Sequence, residues 1–206
     1  MIAGMKPGST LFWDVDTQVD FLDPGGKLYV PGSENIIPKL GELTRFAASK
    51  NILVIASACA HTMQDPEFQE YPPHCLKGTP GQQKVPETIL PRHCFVPNQP
   101  AELPRVLENF QQLIVEKQAT DVFTNPNVEK LLERVGKREI VLYGVVTEIC
   151  VSLAAKGLRQ RGYKVHMVKD AVAHLEEAKG RQVAAEIESG GGMLLSTSEI
   201  VASAVA

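Results

Sequence analysis

The feature that most constrains the fold of this chain is an alternation of short, continuously apolar segments with longer segments of helical periodicity. An apolar segment rich in strand-forming residues is typical of a strand that is buried on both faces. Strands that are separated by helices pair in parallel, and helices then cover both faces of the sheet. The predicted strands, about six in number, are STLFWDV (9–15), ILVIASA (52–58), QLIVEK (112–117), REIVLYGVV (138–146), YKVHMVKDA (163–171) and MLLST (193–197).

The segments between these strands complete a three-layer α/β/α Rossmann-like fold, which we expect to form one domain over residues 1–206. Ser33 is predicted to cap the first helix, because a serine hydroxyl can accept from free N–H groups there. The stretch from Cys59 to Pro104 is rich in Pro, Gly and His and lacks periodicity, so it is predicted to be a long functional loop. The predicted helices are GSENIIPKLGELTRFAASKN (32–51), NPNVEKLLERVG (125–136), EICVSLAAKGLRQRG (148–162) and EEAKGRQVAAEIESGG (176–191).

Charge and composition exclude several classes of partner. The formal net charge is -3 without any block of like charges, which argues against nucleic acid or an anionic membrane as a partner. No apolar run has the length of a membrane span. The first residues lack the layout of a signal peptide, so a cytoplasmic location is expected, where the four cysteines stay reduced.

Three reactive side chains follow predicted strands at their carboxyl ends, where parallel sheets form their sites. Asp16 follows the first strand, Lys117 ends QLIVEK, and Cys150 lies in the first turn of a predicted helix. A cysteine thiolate is a good nucleophile, a helix N-terminus favours the thiolate, and a carboxylate can accept the thiol proton. Residue types alone leave a structural role open for each: a buried cysteine, an aspartate in a turn and a lysine in solvent. Asp14 and Asp20 are competing carboxylates.

The motifs DVDTQVDF, VEK and GVVTEICV resemble, in order and spacing, those of the isochorismatase-like cysteine hydrolases, which include nicotinamidases and N-carbamoylsarcosine amidases. The resemblance extends from about Leu11 to the end of the chain. It implies that Asp16 is the catalytic acid and base, Lys117 the catalytic lysine and Cys150 the nucleophile. The cysteine favours the amidase branch. A thioester intermediate and release of ammonia follow from the resemblance, and no organic cofactor is needed.

The resemblance also implies a cis peptide bond between two non-proline residues, Val145 and Val146. The N–H groups of Val146 and Cys150 would then form the oxyanion hole for the tetrahedral intermediate. Family members are often dimers or larger, so a homo-oligomer is expected.

The segment SACAHTMQDPEFQEYPPHCLKGTPG (57–81) resembles the metal-binding segment of nicotinamidases. His61 and His74 match the two histidine ligands, and Cys59 replaces the aspartate ligand of the family. A thiolate and two imidazoles suit Zn or another divalent metal, with Asp65 as a spare carboxylate. The alternative is a metal site that has been lost. Tyr71, at the position of a stacking tryptophan, and Phe21 would form an apolar slot for a small planar amide.

Two other functions remain open on the sequence. The same three residues would hydrolyse a carbamoyl or ureido compound if the pocket differed. A catalytically silent relative that binds a metabolite, or that senses oxidation through Cys150, is the second alternative.

Overall fold

The computed structural model describes residues 8–137 and 139–202, and it contains a seven-stranded parallel sheet of order β3-β4-β2-β1-β5-β6-β7. The strands are β1 (Thr10–Val15), β2 (Val54–Cys59), β3 (His93–Val96), β4 (Gln112–Lys117), β5 (Glu139–Gly144), β6 (Lys164–Val172) and β7 (Leu194–Leu195). The helices are α1 (Val19–Leu22), α2 (Ile37–Ser49), α3 (Val128–Val135), α4 (Ser152–Gln160), α5 (Glu177–Ser189) and α6 (Thr197–Ala202).

The predicted α/β architecture and the parallel sheet are confirmed, with seven strands instead of about six. The additional strand is β3, which lies inside the stretch predicted to be a loop. Among the described residues it is a short edge strand that pairs with β4, and most of its residues are at least partly exposed. A strand of this kind lacks the continuous apolar pattern by which the buried strands were recognised.

The predicted cap of the first long helix is wrong. Ser33 begins a 3₁₀ turn that precedes α2, and its hydroxyl donates a hydrogen bond to the carbonyl oxygen of Phe21 at 2.9 Å. Gly32, in the left-handed conformation at φ 80°, makes the turn into this segment instead.

The central strand β1 contributes to the core on both faces of the sheet, and all six of its residues are buried. Trp13 packs with α3, α4 and α5 on one face, whereas Phe12 packs with α2 and α6 on the other. Period-two alternation along a strand explains this division. Because helices cover both faces, sites can form only at the ends of the strands, and parallel sheets form them at the carboxyl ends. None of the described helices has the length and hydropathy of a membrane span.

Candidate active site

The carboxyl edge of the sheet brings Asp16, Lys117 and Cys150 together. Lys117 Nζ lies 3.0 Å from Asp16 Oδ2 and 3.6 Å from Cys150 Sγ. Asp16 and Lys117 are 1% exposed, whereas Cys150 is half-buried. Lys117 is the last residue of β4, and Asp16 and Cys150 lie in the segments after β1 and β5, so the three come from distant parts of the sequence. A carboxylate, an ammonium group and a thiol thus share one site that excludes most water.

The backbone around Asp16 aims its side chain into this edge. Asp16 has a positive φ of 50°, which is unusual for a residue other than glycine. Its N–H donates to the Ser57 carbonyl at 3.1 Å, and its Oδ1 accepts a hydrogen bond from the Ser57 hydroxyl at 2.7 Å. The carboxylate is therefore held from both its main chain and its side chain.

Cys150 lies in a single π-helical turn (Thr147–Val151) that leads into α4. The cis peptide bond expected from the resemblance is present between Val145 and Val146, immediately before this turn. Thr147 anchors the turn through its N–H and its hydroxyl, both of which donate to the Ala173 carbonyl at 2.8 Å. The thiol is consequently presented by a helical N-terminus, as the sequence indicated.

Burial dominates the ionisation of these groups. Burial raises the pKa of Asp16, and the Lys117 charge offsets part of the rise. Burial also raises the pKa of the Cys150 thiol well above its ordinary value. The charge of Asp16 raises this pKa further, and the charge of Lys117 lowers it in part. The desolvation of Lys117 would lower its pKa, but the charges of Asp16 and the thiols outweigh this and raise it well above 10.5. Burial thus disfavours a negative charge on both Asp16 and Cys150, and the Lys117 ammonium that contacts both of them favours it. For the Cys150 thiol, burial acts in the direction opposite to that expected from a helix N-terminus.

The two competing carboxylates lie elsewhere. Asp14 forms a buried ion pair with Lys84 at 2.9 Å and accepts a hydrogen bond from Thr17. Asp20 accepts from the N–H of Lys27 at 3.0 Å and from that of Cys75 at 2.6 Å. Both act within the scaffold, which leaves Asp16 as the carboxylate beside the thiol.

A second cluster adjoins the first. One ligand atom from each of Cys59, His61 and His74 lies within 4.8 Å of the other two, and all three residues are buried. Glu67 belongs to the same cluster, because its Oε1 lies 3.6 Å from Nε2 of each histidine. Sequence reasoning missed Glu67: an acidic residue in a polar loop gives no signal by itself, and its approach depends on the loop's tertiary path.

The histidine rings are oriented for metal binding. His61 Nδ1 lies 3.0 Å from Asp65 Oδ2, and His74 Nδ1 lies 2.8 Å from the Pro72 carbonyl oxygen. With Nδ1 protonated toward these acceptors, each Nε2 keeps a lone pair that faces the cluster. Asp65 is thus a partner of His61 rather than a direct ligand.

The donor set fits a borderline-soft divalent cation such as zinc. A hydrogen bond from Cys75 lowers the pKa of the Cys59 thiol well below its ordinary value, with a further contribution from Lys117. Two buried atoms in the cluster, His61 Nε2 and Glu67 Oε2, have no hydrogen-bond partner among the described residues. Cys59 Sγ also accepts a hydrogen bond from Lys117 Nζ at 3.2 Å, so this sulfur joins the two clusters.

Aromatic residues surround the second cluster. The ring of Phe21 is buried and its centroid lies 5.3 Å from that of His74. Tyr71 is half-buried, and burial, with a further contribution from the Glu70 charge, raises the pKa of its hydroxyl. Phe68, which the sequence argument did not single out, packs against both histidines at 5.1 and 5.6 Å.

Comparison with known proteins finds, over most of the chain, the same family that the sequence motifs resemble. Residues 11–199 match the sequence model of the isochorismatase domain. The nicotinamidase of Escherichia coli is 28% identical over 188 residues, which cover 81% of this chain and 83% of that protein. The secreted isochorismatase effector of Verticillium dahliae is 35% identical over 95 residues, which are 43% of this chain and span only 50% of the effector. The pyrazinamidase of Pyrococcus horikoshii, solved in complex with zinc, superposes with a TM-score of 0.74 at 27% identity and covers 91% of this chain and 99% of its own.

Proposed function

The chain belongs to the isochorismatase family of hydrolases, and from this membership and its site we propose that it is a cysteine amidase. The proposed reaction cleaves the C–N bond of a small carboxamide and releases ammonia. One observation carries the proposal: the thiol of Cys150, the carboxylate of Asp16 and the ammonium of Lys117 meet within hydrogen-bonding distance of Lys117 Nζ at the carboxyl edge of the sheet.

In the first step Asp16 accepts the thiol proton of Cys150, and the sulfur attacks the amide carbonyl carbon. Burial raises the pKa of this thiol, so transfer of its proton to Asp16 supplies the thiolate that attacks. Lys117 stabilises the negative charge as it moves from oxygen to sulfur. The N–H groups of Val146 and Cys150 are the proposed donors to the oxyanion.

In the second step the tetrahedral intermediate collapses, and the protonated Asp16 gives its proton to the departing amine. A thioester with Cys150 remains. Asp16, again a carboxylate, then removes a proton from water, which attacks the thioester carbonyl carbon. The C–S bond breaks, the acid is released, and Asp16 returns the proton to the Cys150 sulfur. The raised pKa of Asp16 suits a group that holds and returns a proton in each cycle.

We also propose that Cys59, His61 and His74, with Glu67, hold a divalent metal ion, for which zinc is the first candidate. The bound ion would act as a Lewis acid toward a polar atom of the substrate. Asp65 and the Pro72 carbonyl hold the two imidazole rings, and Phe21 and Tyr71 line the slot through which a planar amide reaches Cys150. Nicotinamide is the first substrate to test, because a curated relative is a nicotinamidase.

The test is ammonia release by the metal-replete protein from nicotinamide, benzamide, an aliphatic amide and a carbamoyl compound. Cys150→Ala should abolish release, whereas Cys94→Ala, which removes a partly exposed thiol on the edge strand β3, should leave it unchanged. Equal release by Cys150→Ala and native protein would refute the assignment of the nucleophile. Release from the carbamoyl compound alone would refute the carboxamide, and release from none would favour a silent relative.

A further inference from the structure

The two oxygens of the Asp16 carboxylate have different environments. Oδ1 accepts a hydrogen bond from the Ser57 hydroxyl at 2.7 Å. Oδ2 lies 3.0 Å from Lys117 Nζ, and no described backbone or hydroxyl group donates a hydrogen bond to it. Oδ2 therefore keeps a lone pair besides the one that faces the ammonium, and the same Lys117 Nζ contacts Cys150 Sγ at 3.6 Å.

Ser57 is fixed by the sheet. It lies inside β2, paired with Val15 of β1 on one side and with Val115 of β4 on the other. Its carbonyl oxygen accepts the Asp16 N–H at 3.1 Å, so the same residue binds the main chain and the side chain of Asp16. At 1% exposure, its hydroxyl is out of contact with bulk water. A rigid strand thus determines where this donor points.

We propose that Ser57 is a positioning residue, which holds the Asp16 carboxylate in the rotation that aims Oδ2 at the Cys150 thiol. This inference rests on the proposed function of Asp16 as the base. It adds a residue that lies outside the three motifs, and it assigns separate tasks to the two oxygens. Oδ1 is held by Ser57, and Oδ2 receives the proton that leaves Cys150 Sγ.

Without the hydroxyl the carboxylate can turn about its terminal bond, and Lys117 can draw either oxygen toward itself. Neither oxygen then keeps a fixed position beside Lys117 and Cys150, and the carboxylate is oriented for proton transfer for only part of the time. A hydrogen bond to a charged group sets the size of the effect, so we expect proton removal to slow about 10- to 100-fold. Substrate binding does not involve Oδ1, and KM should change less than about threefold.

The test compares Ser57→Ala, Ser57→Thr and Ser57→Val with the native protein. Thr and Val have the same shape but only Thr keeps the hydroxyl, so this pair separates hydrogen bonding from packing. Thr10→Val, which removes another buried hydroxyl at the opposite end of β1, is the control. Urea unfolding gives the stability of each variant.

Two rates are measured: kcat for ammonia release, and alkylation of Cys150 by iodoacetamide at pH 7, followed on the peptide that contains it. We expect both rates to fall in Ser57→Ala and Ser57→Val, to return within about threefold of native in Ser57→Thr, and to stay native in Thr10→Val. Native rates in Ser57→Ala, or equally slow rates in the Thr and Val variants, would overturn the inference. Alkylation needs no substrate, so it tests Ser57 even if no amide is cleaved and the proposed function fails.

Discussion

The buried ion pair between Lys117 and Asp16 allows a quantitative prediction about stability. The two charged atoms lie 3.0 Å apart, and both side chains are 1% exposed. Lys117→Met keeps the length of the side chain but removes its charge, and it leaves the Asp16 carboxylate buried beside two thiols. Asp16→Asn removes the other charge with little change in shape.

The size of the expected stability loss follows from the distance between the two charged atoms and from the burial of both side chains. At an effective dielectric constant of about 20, two unit charges 3.0 Å apart attract by about 5 kcal/mol. Removing one partner of a buried pair typically costs about 3–5 kcal/mol, because the other charge remains without compensation. We therefore expect Lys117→Met to lower the free energy of unfolding by about 4 kcal/mol. The double variant Asp16→Asn/Lys117→Met should lose at least about 2 kcal/mol less than the sum of the single losses.

The assay is urea unfolding of the native protein, both single variants and the double variant, all in the presence of a chelator. A loss of about 4 kcal/mol moves the urea midpoint by about 1–2 M. Lys77→Met is the control, since Lys77 pairs with Glu116 at 2.9 Å but is largely exposed, and about 1 kcal/mol or less is expected from it.

The free energy of unfolding that Lys117→Met loses should also depend on pH. Lys117 lowers the pKa of Asp16, so the variant raises that pKa further above its unfolded value. The folded variant then binds more protons than the unfolded chain, and its deficit relative to native shrinks as pH falls toward 5. Two results together would refute electrostatic coupling of the pair. The stability losses of the single variants would add up in the double variant, and the stability deficit of Lys117→Met would be the same at every pH.

Three further predictions concern other parts of the molecule. Asp65→Ala removes the acceptor on Nδ1 of His61, and it should weaken zinc binding about 10- to 100-fold in a chelator competition without loss of fold; unchanged affinity would contradict the role of Asp65. Gly144→Ala should cost at least about 2 kcal/mol in urea unfolding, because φ is 115° and a Cβ would lie 2.1 Å from the Val15 carbonyl oxygen; a loss below 1 kcal/mol would count against this backbone geometry. Burial lowers the pKa of His166, so the unfolded chain binds its proton more readily and stability falls as pH drops below about 6.5. His166→Gln should therefore lose less stability than native protein between pH 7.5 and 5.5. Equal losses in the two proteins would contradict the role of His166 in this pH dependence.

The pattern of the sequence was sufficient for the parts of the fold that bury apolar strands. β1, β2, β4 and β5 each contain a run of at least three consecutive apolar residues, and such a run is a local property of the sequence. The sequence pattern does not predict β3, because an edge strand need not be apolar. It predicts the wrong role for Ser33, because the hydroxyl of Ser33 donates a hydrogen bond to the carbonyl oxygen of Phe21. Of the site, Asp16, Lys117 and Cys150 could be selected because each follows a strand, although their roles came from a resemblance and stay predictions.

What the sequence determined by itself was the parallel sheet, the edge at which reactive groups collect and the residue types available there. The tertiary structure decided which of these groups touch. Glu67 reaches both histidines only through the path of its loop, and Ser57 reaches Asp16 only because β2 lies beside β1. The fold also buries Cys150, which raises the pKa of its thiol. Contacts between residues far apart in the chain, and the removal of water from them, have no counterpart in local sequence patterns.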